Sequence, residues 1–149
     1  DRLRSRGLGD VYKRQVLFGQ SIGGANILDV IGQGDREGIR AVILDSTFAS
    51  YATIANQMLP GSGYLLDESY SGENYIASVS PIPLLLIHGK ADHVIPWQHS
   101  EKLYSLAKEP KRLILIPDGE HIDAFSDRHG DVYREQMVDF ILSALNPQN

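Results

Sequence analysis

The chain has 149 residues, 42% of them hydrophobic, with a formal net charge of −5 and no cysteine. Such a length suits one domain with a sizeable core; the lack of cysteine excludes disulfides and thiolate catalysis, and no apolar run is long enough to span a bilayer. There is no internal repeat, no low-complexity tract and no signal-peptide pattern at the start.

The first segment, residues 1–15, is rich in arginine and has no apolar period. Asp10-Val11-Tyr12-Lys13-Arg14-Gln15 matches one reading frame of the mosaic-end DNA of transposon-type sequencing adapters. Residues 1–15 are therefore expected to be a non-native arm, set apart from fold reasoning, and residues 16–149 the C-terminal part of one domain. The alternative is a natural basic arm that binds nucleic acid or acidic lipid. The arm carries five basic and two acidic residues, so removing its +3 from the whole-chain −5 leaves −8 on residues 16–149. An acidic domain argues against nucleic acid as a partner, because phosphate binding needs a basic surface.

Next, Val16-Leu17-Phe18 reads as a strand, and Gly19-Gln20-Ser21-Ile22-Gly23 follows it directly. The stretch Ala25 to Ile31 then has helical character. Strand, tight turn, helix is the context a nucleophile elbow requires. A serine at so sharp a turn is strained, and the glycines two before and two after it are expected to let strand and helix pass closely. Its hydroxyl would project past the sheet beside a helix N-terminus, which favours developing negative charge. The bland alternative for Ser21 is a helix N-cap in a glycine-rich turn.

Ala41-Val42-Ile43-Leu44 reads as a buried strand, and Tyr51, Ile54, Ala55 and Met58 fall at helical spacing before Pro60-Gly61. Between residues 60 and 81 the pattern is least regular, a set of loops with at most a short helix, either a reduced cap near the site or a plain surface excursion. Pro83 to His88 is a second buried strand and sets Asp92 in the loop beyond its C-terminal end. A helix opens at Pro96 with Leu103 and Leu106 on its apolar side. Arg112 to Ile116 is a further strand, and His121 occupies the loop after it. The last helix places Tyr133, Met137, Phe140, Ile141 and Leu145 on one face and ends before Pro147. Alternating strands and helices imply an α/β fold with a parallel sheet, whose loops gather along one edge. Ser21, Asp92 and His121 are then neighbours in space although distant in sequence, in the order serine, acid, histidine.

These segments, Phe18 to Gly24, His88-Gly89-Lys90-Ala91-Asp92 and Gly119-Glu120-His121, resemble the C-terminal part of an α/β-hydrolase of the serine-hydrolase type. The likeness runs from Val16 to Asn149. It implies that Ser21 is the nucleophile, Asp92 the acid, His121 the base and the Ile22 backbone N–H one oxyanion donor. It also implies that the strands correspond to the fifth to eighth of that sheet, about four in number, with the first four and the other oxyanion donor absent. The fragment is then expected to be essentially inactive and poorly soluble, since an apolar strand edge would stand unpaired. Its parent would be a bacterial enzyme, cytoplasmic or membrane-anchored through a missing N-terminal segment, that cleaves an ester, thioester or amide in a small acyl or peptide-like substrate without a cofactor.

Other readings are weighed at the same residues. Asp45, past the preceding strand, rivals Asp92 as the acid. Glu120 and Asp123 read as solvated or loop-capping groups, and His88, His93, His99 and His129 as structural. A metal held by His88, Asp92, His93 and His121 is conceivable but has no supporting spacing. Trp97, Tyr64, Tyr70 and Tyr75 are candidates for an acyl pocket or for ordinary packing. The alternative functions are a non-catalytic hydrolase-fold binding protein and a Rossmann-like nucleotide binder. Substrate identity and oligomeric state are not written in the sequence.

Overall fold

The computed structural model describes residues 14–34 and 36–146. Of the expected arm, residues 1–13 lie outside the described residues, as does Pro147; Gln15, read with the arm, instead opens the first strand. The elements are β1 (Gln15–Gln20), α1 (Ile22–Gly32), β2 (Ile39–Asp45), α2 (Tyr51–Met58), β3 (Leu84–Gly89), α3 (Gln98–Leu106), β4 (Lys111–Ile116) and α4 (Val132–Leu145). The irregular stretch before β3 consists of four short 3₁₀ turns, and no α-helix forms there.

The four strands lie in sequence order and pair in parallel, with Val42 opposite Leu17 and Leu84, and Leu84 in turn opposite Lys111. This is the four-stranded parallel sheet expected from the alternating pattern. β2 and β3 are central and nearly continuous in apolar residues, as strands covered on both faces must be. Their side chains alternate between two cores. Val42, Leu44, Leu84 and Leu86 point to the side covered by Leu28 and Ile31 of α1, by Leu103 of α3, and by Ile76 and Val79. Ile43, Leu85 and Ile87 point to the other side, where Tyr133, Met137, Phe140 and Ile141 of α4 close over them. Each fully buried Leu or Ile contributes about 1.5–3 kcal/mol to this assembly. Among the described residues β1 pairs on one side only, with β2, and its Phe18 is 45% exposed.

The apolar side of α3 differs from the expected one. Leu103 is buried, but Leu106 is 44% exposed, and the inward positions one turn earlier belong to His99 and Ser100. The polar pair is accommodated because both side chains are hydrogen-bonded. His99 Nδ1 accepts from the Ala49 N–H at 3.2 Å and Ser100 Oγ meets His88 Nδ1 at 2.7 Å.

The glycine expectation also needs correction. A Cβ on Gly19 would lie 2.7 Å from the Gly24 nitrogen, so the strand side of the turn is tight as expected. On the helix side the tight position is Gly24, where a Cβ would stand 1.9 Å from Thr47 Oγ1, whereas Gly23 has open space around it. The helix approaches the sheet along its next residue because Gly24 is the one that turns toward the end of β2. Gly24→Ala is accordingly expected to cost about 1–3 kcal/mol through overpacking against the stiff, buried Thr47. Gly23→Ala is expected to be neutral or stabilising by up to about 1 kcal/mol. Urea unfolding midpoints of the two variants distinguish these outcomes.

Candidate active site

Ser21 sits between the end of β1 and the first residue of α1, with φ 52° and ψ −122°. That is a left-handed backbone on a residue with a side chain, and it carries strain. Its N–H donates to the Asp45 carbonyl at 2.9 Å and its carbonyl accepts from Gly24, so the neighbouring strand and the helix hold the turn. Ser21 occupies the N-cap position of α1, but its hydroxyl makes no capping hydrogen bond. Ile22 opens the helix, where backbone N–H groups have no intrahelical acceptor.

Asp92 and His121 are brought into direct contact. Asp92 Oδ2 and His121 Nδ1 are 2.8 Å apart, the carboxylate side chain fully buried and the imidazole 20% exposed. A carboxylate only accepts, so Nδ1 carries the hydrogen and the lone pair of the neutral ring is left at Nε2. Three further donors fix the acid. Val94 N–H and Ile95 N–H both reach Oδ1 at 2.8 Å, and His88 Nε2 lies 3.2 Å from Oδ2. Burial alone would push this carboxyl up. The bonds from His88, His121, Ile95 and Val94 outweigh it and hold the group well below the usual carboxylate range.

His88 is a site residue that sequence reasoning passed over as structural. It is fully buried, and its Nε2 also meets the Ile95 carbonyl at 2.8 Å. Because that carbonyl only accepts, Nε2 bears the hydrogen, and Nδ1 of the neutral ring accepts from Ser100. The available signal was its place four residues before Asp92, at the end of a wholly apolar strand. With both ring nitrogens engaged, His88 serves the acid; among the described residues no group of three or more His, Asp or Glu is arranged to hold a metal.

The two loops that carry Asp92 and His121 touch through their glycines. A Cβ on Gly89 would fall 2.1 Å from the Gly119 carbonyl oxygen, and the Ala91 N–H donates to that oxygen at 2.8 Å. The loop after β4 then continues across the sheet edge. Ile122 N–H donates to Ser46 Oγ at 3.2 Å, beyond β2, and the Phe125 ring packs edge-on against Phe18 of β1 at 5.8 Å. His121 thus belongs to a loop that reaches the strand bearing Ser21. No hydrogen bond joins Ser21 Oγ to His121 in this structure; the serine meets the network through Asp45 and Ser46.

Asp45, the rival acid, is buried beside the same network, close enough for His88 and His121 to act on its charge, but its carboxylate takes other donors. It accepts from Gln20 Nε2 at 3.0 Å and from Ser46 Oγ at 3.1 Å, and burial pushes its carboxyl up. His93 is exposed, and His129 pairs with Asp123. Glu120 and Asp123 meet Arg128 on the outer side of the loop.

An apolar cavity of about 250 Å³ opens beside Ser21 and Ile22. The aromatic residues on its wall are Phe48 and Tyr51; Trp97, Tyr64, Tyr70 and Tyr75 are not among its lining residues. Lys90 lies over the Trp97 ring, Tyr64 is 93% exposed and the Tyr75 hydroxyl donates to the Ser69 carbonyl. Tyr70 and Asp67 line an adjoining hollow that shares Tyr51 and Leu66 with this cavity.

Residues 19–123 match the family model described as Serine hydrolase (FSH1). The chain is 97% identical over 137 residues to protein YfhR of Escherichia coli, covering 92% of this chain and 48% of that protein. It is 61% identical over 143 residues to YfhR of Salmonella typhimurium, covering 90% and 49%. The chain therefore spans about half the length of these curated relatives. Among solved structures it is similar to the acylaminoacyl peptidase of Pyrococcus horikoshii, with a TM-score of 0.73, 19% identity, and coverage of 93% of this chain and 25% of that one. The esterase domain of a Rhodothermus marinus protein gives a TM-score of 0.65, 21% identity, and coverage of 87% and 59%. These likenesses establish the α/β-hydrolase fold.

The depressed carboxyl of Asp92 has a pH signature. Its folded pKa lies below the unfolded value of about 3.9, so its stabilisation is full above that range and is lost as pH falls toward the folded value. Asp92→Asn is expected to be clearly less stable than the wild type at pH 7, with the gap narrowing at pH 3. Urea unfolding at the two pH values measures it, and a gap that ignores pH would contradict the assignment.

Proposed function

The chain belongs to the Serine hydrolase (FSH1) family, and from that premise we propose that it carries the catalytic residues of an enzyme that cleaves an ester, thioester or amide bond. The observation that supports this most is the buried Asp92–His121 hydrogen bond, which directs the imidazole lone pair to Nε2. In this reading Ser21 Oγ attacks the carbonyl carbon while His121 Nε2 takes the hydroxyl proton. Asp92 holds the ring tautomer and stabilises the imidazolium. The tetrahedral oxyanion accepts from the Ile22 N–H, at the positive end of α1. His121 then protonates the leaving group, and a water activated by the same ring hydrolyses the acyl-serine. No step calls for a cofactor, and the substrate is a small acyl or peptide-like molecule.

The same reading makes turnover by this chain alone slow. Ile22 is one donor, and a missing oxyanion donor costs about 10²–10³ in rate. Among the described residues β1 pairs on one side only, and a strand edge left open favours pairing with another chain and aggregation. A non-catalytic hydrolase-fold protein is the second reading, favoured by the absence of a Ser21–His121 hydrogen bond in this structure. Catalytic hydrogen bonds often tighten only once substrate is bound, so this observation weighs less than the Asp92–His121 bond.

Fluorophosphonate labelling separates the two. The full-length Escherichia coli relative is expected to be labelled at Ser21, and Ser21→Ala to abolish the label. Asp92→Asn is expected to lower kcat on p-nitrophenyl acetate by about 10³–10⁴. A protein that neither labels nor hydrolyses the ester is a binding protein.

A further inference from the structure

We infer that Asp45 and Ser46, at the end of β2, are positioning residues that clamp the serine turn to the histidine loop and so set the distance between Ser21 and His121. The inference rests on the hydrolase reading of Ser21 and His121 and adds to it the residues that bring nucleophile and base together.

The two residues are 1% and 0% exposed. Asp45 Oδ2 accepts from Gln20 Nε2 at 3.0 Å, and Gln20 directly precedes Ser21. The Asp45 carbonyl accepts from the Ser21 N–H at 2.9 Å. Asp45 Oδ1 accepts from Ser46 Oγ at 3.1 Å, which uses the one hydroxyl proton and leaves the oxygen lone pairs free to accept. The Ile122 N–H reaches that oxygen at 3.2 Å, and Ile122 directly follows His121. One arm of the clamp thus grips the neighbour of the nucleophile, and the other the neighbour of the base. The Ser46 N–H anchors the middle to the Ile87 carbonyl of β3 at 2.9 Å.

Two observations set this network apart from ordinary core hydrogen bonding. A buried carboxylate is costly, and its two side-chain donors, Gln20 and Ser46, are both uncharged. Closing the end of a strand needs no such group; holding two separate donors needs two acceptor oxygens on one side chain. The second observation is strain. Ser21, Ser46 and Ile122 have φ of 52°, 51° and 52°, and all three belong to the network. Ile122 is β-branched and 44% exposed, so its side chain offers little packing to hold that angle. A strained backbone persists only where its surroundings over-determine it, and here Ser46 Oγ supplies the constraint. Without that bond the Ile122 backbone relaxes and His121 moves with it.

The test uses this full chain and the full-length Escherichia coli relative, with a fluorophosphonate as the probe of Ser21. Ser46→Ala and Ser46→Gly both remove the hydroxyl, and glycine also accepts the positive φ, so the fold is retained. Both are expected to lower the maximal labelling rate roughly 10- to 100-fold, with the half-saturating probe concentration unchanged. In a His121→Ala background the same substitutions are expected to have no further effect, because Ser46 acts through that ring. Asp45→Ala should lose as much as Ser46→Ala. Asp45→Asn, with the Gln20 amide turned over, rebuilds both bonds and should stay within about threefold of the wild type. Independently of activity, amide hydrogen exchange at Ile122 is expected to quicken about tenfold in Ser46→Gly. Ser21 labelling that the Ser46 variants leave unchanged overturns the clamp and leaves the hydrolase intact, as does Ile122 exchange unmoved by Ser46→Gly. A fall of about 10³–10⁴ in Asp45→Asn makes Asp45 the acid and also overturns the clamp. No labelling of Ser21 in either protein overturns the hydrolase reading, and the role of the clamp with it, whatever the exchange at Ile122.

Discussion

The site depends on a place where two backbones touch. Gly89 closes β3 and Gly119 lies just past β4, and neither could carry a Cβ without displacing the other loop. That contact sets the height of the acid loop against the base loop before any side chain is considered. The Ala91 N–H to Gly119 carbonyl bond and the Lys90 N–H to Ile116 carbonyl bond, both 2.8 Å, then lock the register. Only with that register fixed does Asp92 Oδ2 meet His121 Nδ1. The carboxylate carries a desolvation cost that four donors offset, and two of the four are backbone N–H groups of its own loop. The Asp92 carboxylate is thus held by four donors, and it orients the His121 ring through Nδ1.

Much of this architecture was legible in the sequence. Four apolar runs of strand length, separated by helical patterns, give the parallel sheet, because buried parallel strands need no alternation and crossovers need helices. The loops after β3 and β4 follow from that, and so do Asp92 and His121 as neighbours. Less legible was anything set by close approach. The sequence shows Gly19, Gly23 and Gly24 but not which of them faces a neighbour; the tight ones are Gly19 and Gly24, because helix rotation decides the direction. His88 was invisible as a partner of Asp92 for a related reason. A histidine at the end of an apolar strand looks like a satisfied core residue until the following loop folds back over it.

The apolar stripe of α2 teaches a different lesson. Tyr51, Ile54, Ala55 and Met58 have the spacing of a core-facing helix, and the helix forms, capped by Ser50, whose hydroxyl accepts from the Thr53 N–H at 3.0 Å. Yet all four line the cavity beside Ser21, and Ile54 alone among them is buried. Periodicity reports that a face avoids water; it does not say whether protein or ligand covers that face. Trp97, Tyr64, Tyr70 and Tyr75 stay undecided between pocket and packing in the sequence for the same reason, since size and hydrophobicity do not give direction.

Strain and rigidity are distributed accordingly. Among the described residues, three without a glycine's freedom have positive φ: Ser21, Ser46 and Ile122. Each such backbone costs about 1–3 kcal/mol and persists only where its surroundings over-determine it. All three lie at the C-terminal edge of the sheet, and each is tied to a neighbour. Ser21 N–H binds the Asp45 carbonyl, Ser46 N–H binds the Ile87 carbonyl, and Ile122 N–H binds Ser46 Oγ. The ties meet at the end of β2, reaching the turn after β1, β3 and the loop after β4, so the unfavourable angles are carried by the most buried strands in the molecule. A core of Leu and Ile on both faces of β2 and β3 supplies the surplus that keeps this edge in place. The strained serine and the oriented imidazole are thereby coupled through the sheet even without a hydrogen bond between their side chains.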